Sequence, residues 1–193
     1  HLSEAFELRD KFKDISILLL SEPPSSDCSE LIKHNITPTV YTQDFLNDLQ
    51  NESQKQDKVT QVHLKIDTGM RRVGTEINEA LPLAHYIQTA SHLNLEGVYT
   101  HFANANLPES NFTAIQLERF HSCLDEFKNN KINPPLIHAA NTFATQYFKN
   151  AHFNMVRIGL GGVHDILSLK SIVSLIKKVP KHSPIGYEGQ FTT

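Results

Sequence analysis

"HLKIDTGMRRVG", His63 to Gly74, starts as a buried strand and finishes in a charged turn flanked by glycines. Extended backwards it becomes "QVHLKID", where Val62, Leu64 and Ile66 fall on one face and His63, Lys65 and Asp67 on the other. Ionisable groups on the second face are costly to bury unless they are paired or solvated. A strand of this kind suits a barrel wall, with its apolar face against outer helices and its polar face turned inward near a strand end, where barrel chemistry collects.

The flanking sequence repeats the same rhythm. Upstream, "LSEAFELRDKFK" (Leu2 to Lys13) places Leu2, Ala5, Phe6, Arg9 and Phe12 at helical spacing. "ISILLL" reads as a strand, "SEPPSS" as a proline-rich loop, "CSELIKHN" as a short helix, "TPTVYT" as a strand and "QDFLNDLQNES" as a helix. Downstream, "EINEALPLAHYIQTASHL" is a helix with Pro82 near its start, and "LEGVYTHF" is a strand with His101 at its end. Phe112, Ile115, Phe120, Leu124 and Phe127 mark a further helix, and the strands "PLIHAAN" and "NMVRIG" enclose the short segment "TFATQYF".

Strands alternating with helices, without a repeated glycine fingerprint, predict a parallel sheet with helical crossovers rather than a dinucleotide fold. Roughly six strand signals precede Gly159 where a closed barrel has eight. The expected class is therefore α/β: a partial (β/α)8 barrel lacking its first strands, over residues 1–163. Beyond Val163, "LSLKSIVSLIKKV" is β-rich and "PKHSPIGYEG" adds turn residues with no helix between, so residues 164–193 are expected to begin a C-terminal all-β domain.

Composition narrows the function classes. The chain has 193 residues, 39% hydrophobic and 20% charged, with a formal net charge of -3, which argues against disorder and against a nucleic-acid partner. Cys28 and Cys123 stand apart from each other and from any metal-ligand spacing, so neither a disulfide framework nor a metal site is expected, and a reducing compartment fits. "ISILLL" is too short to span a bilayer and the opening residues lack signal-peptide organisation, so the expectation is a soluble, cytoplasmic protein.

Polar residues gather at the ends of four consecutive strand signals: Lys65 and Asp67, then His101, then Asn141 and Thr142, then Arg157 and Gly159. Each has a plain structural alternative. Lys65 could pair with Asp67, His101 could be a satisfied core residue, Asn141 or Thr142 could cap a helix, and Arg157 could pair with a surface carboxylate.

With these motifs in view the chain resembles the alanine racemases, pyridoxal-phosphate enzymes built from a barrel and a β domain. "HLKIDTGMRRVG" is similar to the family's lysine strand and glycine turn, "LEGVYTHFANAN" to its histidine strand, "HAANT" to its approach to the phosphate loop, and "NMVRIGLG" to its pyridine-arginine strand. "SLKSIVSLIKKV" and "PIGYEGQF" are similar to the opening of its second domain.

The resemblance implies roles. Arg157 would hydrogen-bond the pyridine nitrogen of pyridoxal 5'-phosphate, His101 would lie beside the ring, and Asn141, Thr142, Gly159 and Leu160 would hold the phosphate. Lys65, carboxylated on its side-chain nitrogen, would pair with Arg72, which reaches toward the phenolic oxygen. Tyr187 would be one catalytic base, delivered from the neighbouring subunit of a homodimer.

The implied activity is two-base racemisation of alanine, supplying D-alanine for peptidoglycan in the bacterial cytoplasm. The alternatives are a serine or broad-spectrum racemase and a non-catalytic pyridoxal-phosphate barrel. Departures from the pattern are also visible: no segment matches the strand carrying the cofactor-linking lysine, Arg71 stands where glycine is usual, Thr142 replaces a frequent serine, and Val163 falls where tyrosine is common.

Overall fold

Four parallel strands, hydrogen-bonded in chain order, carry the larger part of the molecule: β1 (Thr39–Val40), β2 (Thr60–Lys65), β3 (Leu93–Tyr99) and β4 (Leu136–His138). They are seen in a computed structural model that describes residues 2–159, 162, 178–185 and 191–193. The chain divides into two compact units, His1–Gly162 and Val163–Thr193. In the first, the strands alternate with helices α1 (Leu2–Lys11), α2 (Cys28–Lys33), α3 (Gln43–Lys55), α4 (Ile77–Thr89), α5 (Asn111–Asn129) and α6 (Thr142–Tyr147). This is an α/β partial barrel. In the second unit, β5 (Pro184–Ile185) and β6 (Phe191–Thr192) form an antiparallel pair.

The alternation in "QVHLKID" is realised. Val62, Leu64 and Ile66 are fully buried in the apolar core with residues of α3, α4 and α5, such as Leu49, Ala84 and Phe120. His63, Lys65 and Asp67 are also buried, on the opposite side of the strand. Asp67 begins a loop closed by backbone bonds from Asp67 N–H to Thr75 and from Thr75 N–H to Lys65. Its carboxylate accepts the N–H groups of Gly69 at 2.8 Å and Arg71 at 3.1 Å. The Lys65–Asp67 pairing considered from sequence is therefore not formed, because the carboxylate is committed to the turn.

Gly74 has φ +130°, and a Cβ there would lie 3.0 Å from the Asp67 amide nitrogen. Arg71 sits at φ +56°, a left-handed conformation that glycine enters without strain, and it is tied to Glu76 by an ion pair.

Three sequence readings change in detail. "ISILLL" and "NMVRIG" each pair as a single isolated bridge, Leu18 with Thr37 and Met155 with His138, because each lies at an outer edge of the sheet. "TFATQYF" is a helix, since Asn141 caps it by accepting the Ala144 N–H at 3.0 Å. α1 ends at Lys11, and Phe12 is exposed, while Arg9 from the apolar stripe is buried as a clamp. Its guanidinium donates to the carbonyls of Phe12, Lys13, Ile15, His34 and Asn35, tying the segment after the helix to the turn after α2.

One irregularity shapes the centre of the sheet. Val62 pairs with Leu95, but His63 pairs with Gly97, so Glu96 is an extra residue on β3. Leu95 and Val98 keep their places opposite Val62 and Leu64, and the two residues between them both come opposite His63. Gly97 leaves room for the imidazole: a Cβ there would lie 2.5 Å from its Cε1 and Nδ1. Replacing Gly97 by Ala is expected to destabilise the protein by about 1–3 kcal/mol through overpacking. Urea denaturation would show it, and a Gly97→Ala/His63→Ala double variant should recover part of the loss.

Candidate functional site

At the C-terminal ends of the strands the interior face becomes polar, and the backbone dictates what meets there. Lys65 ends β2, Tyr99 ends β3 and His138 ends β4, at matched register: Lys65 opposite Tyr99, and Tyr99 opposite His138. Tyr99 is the platform. Its ring stacks on the His138 imidazole with centroids 4.5 Å apart and planes 8° from parallel, and its hydroxyl bonds Thr39 and the carbonyl of Leu20. The Arg157 guanidinium lies 5.0 Å and the Lys65 Nζ 5.4 Å from its centroid, within cation–π range.

Arg157 arrives on the segment beyond β4, whose backbone N–H donates to Ala140. One of its terminal nitrogens donates to His138 Nδ1 at 2.8 Å. The other donates to the carbonyls of Thr100 and Ala139, with His101 Nδ1 at 3.4 Å. Its Nε–H has no partner among the described residues. Burial lowers the guanidinium pKa to about 10, still far above neutrality. The surface ion pair considered for Arg157 from sequence does not form among the described residues.

His101 follows β3 and is pushed down to about 4 by burial and by the positive charges of Arg157, Arg72 and Lys65, so it is neutral at pH 7. Its backbone carbonyl accepts from the Gln116 amide, which also donates to Thr68, while Thr68 and Thr100 share a 2.8 Å hydroxyl contact. This buried polar set ties the 67–75 loop and α5 to the segment bearing His101. Thr142 Oγ1 accepts the N–H of Gly159 at 3.0 Å, bringing the last two candidate segments together.

A cavity of about 350 Å³ is bounded by His101, Asn141, Thr142, Arg157 and Gly159, with Leu20 closing one side. Five candidates from three separate stretches thus share one hollow. Lys65 does not line it; its Nζ lies over the Tyr99 ring and has no hydrogen-bond partner among the described residues. Burial first, then Arg72 and Arg157, lower its pKa to about 8. Arg72 is exposed and acts on Lys65 and His101 through its charge. Leu160 and Tyr187 lie outside the described residues.

Sequence reasoning did not single out His138, Tyr99, Thr100 or Gln116. His138 could have been found by alternation in "PLIHAAN", which turns it the same way as Leu136 and Ala140. Among the described residues there is no group of three or more His, Cys, Asp or Glu side chains able to hold a metal ion, and no helix is long and apolar enough to cross a membrane.

Residues 1–163 match the family model for the alanine racemase N-terminal domain. The chain is 38% identical to an alanine racemase of Treponema denticola, covering 99% of this chain and 55% of that protein. It is 35% identical to alanine racemase 1 of Oceanobacillus iheyensis, covering 96% of this chain and 54% of the relative. The fold superposes on an alanine racemase of Clostridium difficile 630 in complex with cycloserine, with a TM-score of 0.79 and 28% identity over 82% of this chain and 44% of that one. The chain spans about half the length of the curated relatives it matches.

The two depressed bases give opposite ends of a pH profile. His101 carries its proton at 6.5 in the reference state but only near 4 when folded, so the unfolded chain binds more protons between those values. Stability is expected to fall as pH drops from about 6.5 toward 4, and to fall less in a His101→Gln variant. For unmodified Lys65, in buffers freed of carbon dioxide, the interval runs from about 8 to 10.5, and stability should rise with pH across it, a rise that Lys65→Met removes. Denaturant midpoints measured across pH for each variant against wild type test both.

Proposed function

This chain belongs to the alanine racemase family, and from that premise we propose that the complete protein interconverts L- and D-alanine with pyridoxal 5'-phosphate as cofactor. The observation that carries the reading is Arg157: a half-buried guanidinium, its Nε–H uncommitted among the described residues, at a cavity shared with His101, Asn141, Thr142 and Gly159. An aromatic ring with an acceptor nitrogen and an anionic substituent fits this donor set. Neutral His101 would lie beside the ring, and Asn141, Thr142, Gly159 and Leu160 would receive the phosphate.

When bound, pyridoxal phosphate supplies an electron-withdrawing ring that acidifies the α-hydrogen of an attached amino acid. Arg157 donates a hydrogen bond to the ring nitrogen without giving up its proton, since a guanidinium remains charged at working pH. That restrains charge from spreading into the ring and favours return of the proton to the α-carbon over transamination. Tyr187 is assigned as the base on one face of that carbon, reaching the site from the neighbouring subunit of a homodimer. A lysine elsewhere in the complete protein is assigned to the other face.

Lys65 is read as a carboxylated lysine. Its lowered pKa keeps a fraction of Nζ as free amine near neutrality, the form that attacks carbon dioxide. The ammonium first releases one proton; the free amine then bonds to the carbon of carbon dioxide as one carbon–oxygen π bond opens and a second proton leaves to solvent, so a cation becomes a carbamate anion. Beside Arg72 and Arg157, that exchange replaces repulsion by attraction and holds Arg72 toward the cofactor's phenolic oxygen. Residues 164–193 are read as the start of the β domain, and the protein's role as D-alanine supply for peptidoglycan in the cytoplasm.

The complete protein loaded with pyridoxal phosphate is expected to produce D-alanine from L-alanine, and loss of this exchange would remove the reading. Arg157→Glu should lower racemisation by about a hundredfold or more and raise transamination relative to it. An unchanged ratio would contradict the role given to Arg157. Carbon-13 bicarbonate should label Lys65 with a carbamate resonance; a bare amine at every carbon dioxide level would contradict its role.

A further inference from the structure

A chain of four polar side chains crosses the interior of the sheet from the cavity toward its other end. Arg157 contacts His138 Nδ1 at 2.8 Å, His138 Nε2 contacts His63 Nδ1 at 2.8 Å, and His63 Nε2 contacts Glu96 Oε2 at 3.3 Å. Proton positions along it follow from donor chemistry alone. Arg157 can only donate, so His138 Nδ1 must accept. His138 therefore carries its hydrogen on Nε2 and donates to His63 Nδ1. His63 in turn carries its hydrogen on Nε2 and donates to the Glu96 carboxylate. An added proton on either imidazole would set N–H against N–H, so both rings are neutral in this arrangement. Burial also holds both below the ordinary imidazole pKa, against the pull of Glu96 on His63.

The backbone is arranged for this chain. The bulge at Glu96 puts two residues of β3 opposite His63 where a regular strand puts one. One is Gly97, which yields the space the imidazole occupies, and the other is Glu96, which supplies the terminal acceptor. Glu96 also lines a second cavity with Arg9, Lys58, Thr60 and Gln61, at the N-terminal end of β2. Its carboxylate thus borders a cavity other than the hollow that Arg157 lines.

We propose that Glu96, His63 and His138 act as a proton-ordering relay that orients the Arg157 guanidinium, making Glu96 a positioning residue for the ring Arg157 holds. The carboxylate selects the Nε2–H form of His63, His63 selects the same form of His138, and the lone pair left on His138 Nδ1 fixes one arm of the guanidinium. With the other arm held by Thr100 and Ala139, the Nε–H has one direction available. Without the terminal acceptor the His63 Nε2–H loses its partner and only Arg157 still orders the chain, so the Nδ1–H forms of His63 and His138 come closer in energy, and an Nδ1–H on His138 would face the Arg157 N–H and displace it.

The relay's effect on cofactor rests on the racemase reading; its effect on Arg157 does not. The complete protein, labelled with nitrogen-15 in histidine and arginine, is examined by long-range proton–nitrogen correlation at pH 7, with His63 and His138 assigned by single substitutions. Both rings are expected to show the neutral Nε2–H pattern. Glu96→Leu should lose that pattern and shift the Arg157 Nε resonance, while Glu96→Gln, whose carbonyl still accepts, should keep both. In the loaded protein Glu96→Leu should weaken pyridoxal phosphate binding by about tenfold.

An Nδ1–H form or an imidazolium at either ring in wild type would overturn the relay. So would a Glu96→Leu protein with an unmoved Arg157 resonance. Absence of cofactor binding in wild type would instead count against the racemase reading, and the Arg157 resonance would then decide the relay by itself.

Discussion

A half-buried guanidinium with no carboxylate beside it among the described residues sets the terms for the strand ends. Removing a charge from water costs several kcal/mol even after relaxation, and an ion pair is the usual offset. Arg157 is offset differently. Its described partners are two backbone carbonyls, an imidazole lone pair and the face of Tyr99, all of them neutral. Such partners stabilise the charge without cancelling it, so a positive field persists in the hollow. Burial and the same field act on His101 and Lys65, keeping the first neutral at pH 7 and lowering the pKa of the second to about 8. Among the described residues lining the hollow Arg157 carries the charge, so an anionic ligand would meet attraction there.

The aromatic platform explains how so many polar groups fit one interior. Tyr99 touches His138 face to face, lies under two cations, and anchors its hydroxyl on Thr39 and Leu20, so one side chain links β1, β3, β4 and the segment bearing Arg157. Its phenol is pushed up to about 12 by burial, which leaves it a neutral hydrogen-bonding group and not a base. Rigidity here is inherited from the sheet: Lys65, Tyr99 and His138 are successive register partners, so their spacing is fixed by strand pairing and not by loops. A site placed on strand ends in this way is more exact than one built on connecting segments.

How much of this was legible in the sequence depended on the kind of signal. Alternation in "QVHLKID" carried the orientation of six residues correctly, because a strand with a one-sided core leaves only one register. The rim position of His101, Asn141, Thr142, Arg157 and Gly159 was legible from their places after strand signals. Edge segments were harder: "ISILLL" and "NMVRIG" have the composition of strands, but pairing depends on neighbours that a local pattern does not contain. Arg9 read as one member of an apolar stripe, and its burial depends on five carbonyls contributed by residues up to Asn35. The Glu96 bulge was not legible at all. Its existence depends on the partner strand, since "LNLEGVY" alternates acceptably without it.

That illegible residue is where local and global requirements meet. His63 could be accommodated in a regular parallel pair only if the residue opposite were small, and it could be satisfied only if an acceptor were near its Nε2. One position cannot supply both, because a glycine offers no side-chain acceptor and a glutamate leaves no room for the ring. Inserting one residue into β3 separates the two tasks, at the expense of ladder regularity between Val62 and His63. The apolar face is undisturbed, since Leu95 and Val98 still meet Val62 and Leu64. The polar interior of this sheet was therefore fitted without moving its core, which is why a carboxylate midway along β3 can be linked through two imidazoles to a guanidinium at the strand ends.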